Sequence, residues 1–165
     1  MNKAYLLIGG NLGAVKTNLQ RARSEISRRI GRVLAASSLY QTAAWGLEDQ
    51  PDFLNQVLII QSERSAADML TIMLQIEQDL GRVRKIKNGP RLIDIDLLFY
   101  NDQIINSTAP DLKVPHPLLH TRNFTLYPLA ELSPELVHPV LKKTIDALLK
   151  ECPDSLQVTR LAQDE

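Results

Sequence analysis

Asp94 and Asp96 stand two residues apart inside an otherwise apolar run, Leu92-Ile93-Asp94-Ile95-Asp96-Leu97-Leu98-Phe99-Tyr100. If the run is a strand, residues i and i+2 project to one face, with Cα atoms about 7 Å apart. Ile93, Ile95, Leu97 and Phe99 are then expected to fill the opposite face. Two ionised carboxylates side by side repel, and burial raises the cost. A divalent cation between them removes both objections. Magnesium asks little of a protein, since one or two carboxylates suffice when water and phosphate oxygens complete its shell. The plainer reading, a solvent-facing strand that happens to carry aspartates, is weakened by the depletion of Asp in strands.

Just upstream, Arg82, Arg84, Lys85, Lys87 and Arg91 place five cations within ten residues, punctuated by Gly89-Pro90. Guanidinium forks match phosphate oxygens and stay charged at any working pH. Phosphoryl-type transfer relies mainly on positioning and charge stabilisation. A charged loop on its own is ordinarily solvated surface. Its adjacency to the aspartates points instead to a metal-bound, phosphorylated substrate.

These residues need a scaffold. Ala4–Ile8 is a short apolar run stopped by Gly9-Gly10-Asn11, which reads as a buried first strand and a tight turn. A helix is expected from Val15 to Ile30, with Val15, Leu19, Ala22, Ile26 and Ile30 on one stripe and Gly31 as its stop. Most arginines of that segment fall off the stripe and read as a solvated face. Val33–Thr42 and Phe53–Ser62 are the next strands, separated by a long loop around Trp45. Ser65-x-x-Asp68 resembles a capping box opening a second helix with Met69, Leu70, Met73, Ile76 and Leu80 on its stripe. Glu77 lies at the margin of that stripe and reads as one end of a structural ion pair with the arginines downstream. Leu92–Tyr100 is the fourth strand, and Asn101-Asp102 should turn the chain into a short partner strand over Gln103–Asn106. The order βαββαβ names an α+β, ferredoxin-like sandwich with a mostly antiparallel sheet and both helices on one face. Beyond Pro110 the spacing predicts short helical pieces within Leu118–Ala130 and a helix over Thr144–Lys150, with a polar C-terminal dozen expected to fray.

Composition narrows the possibilities. The 165 residues suit one domain over 1–165, with 44% apolar content for its core. Zero net charge argues against a nucleic-acid coat protein. One cysteine, Cys152, rules out an intrachain disulfide framework and fits a reducing compartment. The N-terminus lacks signal-peptide layout and no apolar run approaches the ~20 residues that span a bilayer, so a cytoplasmic protein without membrane contact is expected. Gly-x-x-x-x-Gly-Lys-Ser/Thr is absent, as is the dinucleotide spacing Gly-x-Gly-x-x-Gly.

Four segments, in order, resemble the 6-hydroxymethyl-7,8-dihydropterin pyrophosphokinase family: Tyr5–Gly13, Gln50–Asn55, Gly81–Arg84 continuing through Gly89-Pro90-Arg91-Leu92-Ile93-Asp94-Ile95-Asp96, and Val114-Pro115-His116 through Arg122-Asn123-Phe124. The resemblance implies transfer of the β,γ-pyrophosphoryl group of ATP to the pterin hydroxymethyl group, with AMP released. It implies two Mg²⁺ ions on Asp94 and Asp96, and Arg82 and Arg91 on the transferring group. Glu77, Arg84, Arg91, Leu97, Lys113, His116 and Arg122 fall on its nucleotide side. Thr42, Ala43, Trp45, Phe53, Asn55 and Phe124 fall where the family holds the pterin. Aromatic faces and the donor–acceptor amide of Asn55 suit a flat heteroaromatic ring.

The chain also departs from the family pattern. Lys87-Asn88 replace an Arg-Trp pair common in bacterial members, Ala43-Ala44-Trp45 replace a Pro-Pro-Leu-like run, Phe53 a Tyr, and Lys113 a frequent Thr. Trp45, the sole tryptophan, either stacks on the pterin in compensation or anchors its own loop to the sheet. Two other readings compete: another Mg-dependent phosphoryl or nucleotidyl transferase on this fold, and an RNA-binding sheet. The second is disfavoured by 5% aromatics, zero net charge and strand aspartates that repel phosphate. A monomer is the default expectation.

Overall fold

The computed structural model describes residues 1–43, 50–81 and 91–162. Its first strand, β1 (Asn2–Gly10), is central and antiparallel to β4 (Phe53–Ser62) on one side and β5 (Asp94–Tyr100) on the other. The sheet runs β5-β1-β4 and then divides. β2 (Arg32–Ala36) and β3 (Tyr40–Thr42) both pair with β4, and β8 (Val158–Arg160) adds outside β3. Helices α1 (Val15–Arg29) and α2 (Ala66–Asp79) complete the ferredoxin-like βαββαβ order.

Burial on both faces explains the unbroken apolar run in β1. Ala4, Leu6 and Ile8 join Leu58 and Ile60 beneath Leu19, Ala22 and Ile26 of α1 and Met69, Met73 and Ile76 of α2. Tyr5 and Leu7 join Val57 and Ile59 on the other face. There they meet Leu126 and Leu129 of α3 (Asn123–Leu132) and Ile145 and Leu148 of α4 (Ile145–Glu151). At roughly 1.5–3 kcal/mol per fully buried large apolar side chain, each layer matters to stability. The sheet is thus covered by helices on both sides, where the sequence placed only α1 and α2. Ser65 caps α2 as expected, its hydroxyl accepting from Asp68 N at 3.1 Å.

Five local expectations change, each for a physical reason. The predicted strand Val33–Thr42 breaks after Ala36, because the Ser37 hydroxyl accepts Val57 N (3.0 Å) in place of a ladder bond. In β5 the register passes from Leu6↔Leu97 to Tyr5↔Phe99, so Leu98 is an extra, bulged residue. Phe99 therefore leaves the face of Ile95 and Leu97 and packs edge-on to Tyr5, ring centroids 5.8 Å apart. The residues after Asn101 do not pair back onto β5. Asn101 N donates to Lys3 O (2.7 Å) and its side chain accepts Lys3 N (2.9 Å), which ends the ladder. The chain then forms a separate hairpin of β6 (Ile105–Thr108) and β7 (Asp111–Val114). The C-terminal stretch expected to fray supplies β8, which satisfies the open edge of β3. On α1, Arg23 is half-buried rather than solvated and donates to Gln56 Oε1 at 2.7 Å.

Candidate active site

The register gathers the expected residues at one end of the sheet. Asp94 is opposite Gly9, Gly9 is opposite Asn55, and Asn55 is opposite Tyr40. Asp96 is opposite Leu7, and Phe53 is opposite Thr42. Directly paired residues share a face, here the face of Leu7 and Val57 that α3 covers. Asp94, Asp96, Asn55, Phe53 and Thr42 therefore look the same way. Gly9 keeps the row open, since a Cβ there would stand 2.2 Å from Asn55 Oδ1.

Asn11 fastens the site to its flanking segments. Asn11 N and Leu12 N both donate to Arg91 O (2.9 and 3.1 Å), and Arg91 N donates back to Asn11 Oδ1 at 2.8 Å. Its Nδ2 reaches Gln50 Oε1 and Pro51 O, each at 2.9 Å. One buried amide, 3% exposed, thus joins the turn after β1, the residues entering β4 and those entering β5. Gly10 permits that contact, because a Cβ on it would meet Leu92 O at 2.5 Å. The sequence showed only a tight turn here. Asn between Gly10 and Leu12 was the available signal, but its partners lie 39 to 80 residues away.

Arg91, 12% exposed at its side chain, brings Nη1 to 3.5 Å from Asp94 Oδ2. Behind β5, Glu77 is 3% exposed and its Oε2 accepts Ile95 N at 2.7 Å. It thus holds the peptide between the two aspartates from the α2 side, a bond that the expected ion pair did not anticipate. The roof comes from the segment entering α3. His116 N donates to Leu98 O (3.0 Å), and Leu118 N donates to His116 Nδ1 (3.2 Å), which leaves the ring proton of a neutral imidazole on Nε2. Burial, then the charge of Arg122, push His116 down to about 4, with Asp94 opposing. The Arg122 guanidinium sits 5.6 Å from the Phe124 ring centroid. Burial lowers its pKa, while Asp96 and Asp94 counteract and Arg91 adds to the lowering. A desolvated guanidinium that remains charged is a strong anion partner.

Other expected residues are placed less directly. Leu97 packs its side chain in the core beneath α1 and α2, so only its backbone can serve a nucleotide. Lys113 is exposed on β7 with its ammonium 3.2 Å from Asp111 Oδ1. Ala43 is exposed and Thr42 buried. Arg82, Arg84 and Trp45 lie outside the described residues. Among the described residues no group of three or more His, Cys, Asp and Glu side chains could hold a metal. The donor set is therefore the aspartate pair, half-buried and on one face. That suits magnesium, whose remaining positions go to water and phosphate, and does not suit a structural zinc site.

The sequence profile of the 7,8-dihydro-6-hydroxymethylpterin-pyrophosphokinase family matches residues 5–134. The chain belongs to this family. It is 36% identical to the 2-amino-4-hydroxy-6-hydroxymethyldihydropteridine pyrophosphokinase of Aquifex aeolicus, over 88% of this chain and 89% of that one. It is 40% identical to the protein of the same name from Synechocystis, over 90% of this chain and 75% of the other. Wild-type HPPK-DHPS of Plasmodium falciparum superposes with a TM-score of 0.71 over 91% of this chain and 44% of that one, at 16% identity, a likeness of fold. The family's ATP-dependent pyrophosphokinase reaction in folate biosynthesis is the activity of this chain. No helix among the described residues is long and apolar enough to cross a membrane.

Two neutral histidines give this pyrophosphokinase a pH signature. His116 is held near 4, and His138 is lowered by burial and then by His120. From about pH 6.5 downward the unfolded chain takes up protons there that the folded chain does not. The stability of the metal-free protein should therefore fall as pH drops from 6.5 toward 4. Melting temperature against pH measures this, with a shallower slope expected for His116→Gln and an unchanged slope counting against the assignment.

Proposed function

We propose that this chain, as a monomeric single domain, moves the β,γ-pyrophosphoryl group of ATP onto 6-hydroxymethyl-7,8-dihydropterin. The hydroxymethyl oxygen attacks the β-phosphorus, the bond from that phosphorus to the α-phosphate oxygen breaks, and AMP leaves. Two magnesium ions are assigned to Asp94 and Asp96, and when bound they neutralise phosphate charge that the carboxylates alone would repel.

The residues divide into three tasks. Arg91, with Arg82, stabilises charge on the group in transit. Arg122 and the Nε2–H of His116 orient the nucleotide phosphates, joined by Arg84, Lys113 and the backbone of Leu97. Glu77 serves this side by holding the β5 peptide. The pterin ring takes the space between Phe53 and Phe124, its polar edge read by Asn55 and Thr42, with Ala43 and Trp45 at its border. The observation that carries this reading is the row Asp94–Gly9–Asn55, a carboxylate and an amide on one face of the sheet with a single glycine between them, which supports phosphate chemistry beside ring recognition.

Incubation of the protein with ATP, magnesium and the hydroxymethyl pterin should yield AMP and the pterin diphosphate in equal amounts. ADP as the product would instead identify an ordinary phosphoryl transferase on the same fold.

A further inference from the structure

The first N–H groups of a helix need acceptors, and Ser, Thr, Asp or Asn usually supplies one from the N-cap position. At the start of α3 that position is held by Arg122, in extended conformation (φ −127°, ψ 110°), with no side-chain cap of its own. An acceptor arrives from 31 residues further along. Asp154 Oδ2 accepts Asn123 N at 2.9 Å, and Asn123 Nδ2 returns a bond to Asp154 O at 2.8 Å. Asp154 Oδ1 accepts Leu156 N at 2.9 Å, so the carboxylate is itself held in place. The cap also sets a negative charge at the positive end of the helix.

This division of labour has a purpose at the site. A residue that cannot cap occupies the cap position, and its guanidinium lies 5.6 Å from the Phe124 ring centroid and interacts with the charges of Asp96 and Asp94. Asp154 lies beyond the 5–134 stretch that matches the family.

We propose that Asp154 is a positioning residue that caps α3 from outside the helix and thereby fixes Arg122 for the nucleotide. The inference rests on the nucleotide-side reading of Arg122. Asp154 also counts among the negative groups that support the charge of the half-buried guanidinium.

A double-mutant cycle on the full chain tests it, reading KM for ATP and the Kd of a non-hydrolysable ATP analogue with magnesium. Asp154→Ala should weaken both roughly five- to tenfold, the fold-change equivalent of a lost cap, with kcat changed less. In the Arg122→Ala background the same substitution should add less than twofold. Asp154→Asn keeps an acceptor for Asn123 N and should recover part of the loss, and it carries the cycle if the alanine variant does not fold. Equal fold losses in both backgrounds would overturn the proposal, since Asp154 would then act on the fold at large. An Arg122→Ala protein with wild-type nucleotide binding would overturn the Arg122 reading and this inference with it, while AMP release would still stand.

Discussion

Asp96→Ala should abolish pyrophosphoryl transfer and leave the protein folded. Asp96 extends from β5 on the same face as Asp94, both half-buried, opposite Leu7 and Gly9 of β1. Removing Asp96 relieves its repulsion with Asp94 but also takes away a charge that supports the Arg122 guanidinium, so the melting temperature should change little. Turnover should fall on the order of 10³-fold or more, because metal-borne charge stabilisation is worth several kcal/mol and each 1.4 kcal/mol is a factor of ten. AMP release, beside a melting curve, separates the two effects. Activity retained at saturating magnesium would refute the assignment of Asp96, and a collapsed melting curve would show that the carboxylate is structural.

Gly10→Ala should damage both stability and activity. The new Cβ would sit 2.5 Å from Leu92 O, 3.1 Å from Leu92 C and 3.2 Å from Arg91 O. All three are backbone atoms, which cannot swing aside as a flexible side chain can. The strand entering β5 must move, and with it the Asn11–Arg91 bonds and the approach of Arg91 to Asp94. Overpacking of this kind costs about 1–3 kcal/mol. A displacement of about 1 Å at a reacting centre can cost on the order of 100-fold in rate. Gly9→Ala offers the contrast, since its closest contact is Asn55 Oδ1, the end of a side chain. Its stability loss should be smaller and its defect concentrated in pterin affinity. Melting curves and kcat with KM for both substrates, measured on the two variants, decide the matter. Wild-type kinetics in Gly10→Ala would show that Arg91 does not depend on this contact.

Periodic features were legible from sequence. The bounds of β4 and α2, the Ser65 cap and the shared face of Asp94 and Asp96 all follow from spacings of two and of three or four residues. Features set by a single distant partner were not. Nothing near Leu98 announces a bulge, because the bulge exists only in register with Tyr5 and Leu6. Ser37 ends β2 only because Val57 N is there to be accepted. The family resemblance alone put Arg122 on the nucleotide side, and its place at a helix start capped by Asp154 emerges only when residues 31 apart are brought together. Asn11 is the sharpest case. Its three attachments define the site, and no local pattern distinguishes it from other turn asparagines.

The central place of β1 has a consequence for how the protein comes into being. During synthesis β1 leaves the ribosome before β4 and β5, with both hydrogen-bonding edges bare and an apolar surface on each side. Leu6 waits for Leu58 on one edge and for Leu97 on the other. Until β5 has emerged, the growing chain displays the kind of open, apolar strand edge that invites association with other chains. The Gly9-Gly10 end of that strand lies in the row between Asp94 and Asn55, so the assembly of that row and the shielding of the nascent chain come to completion in one event.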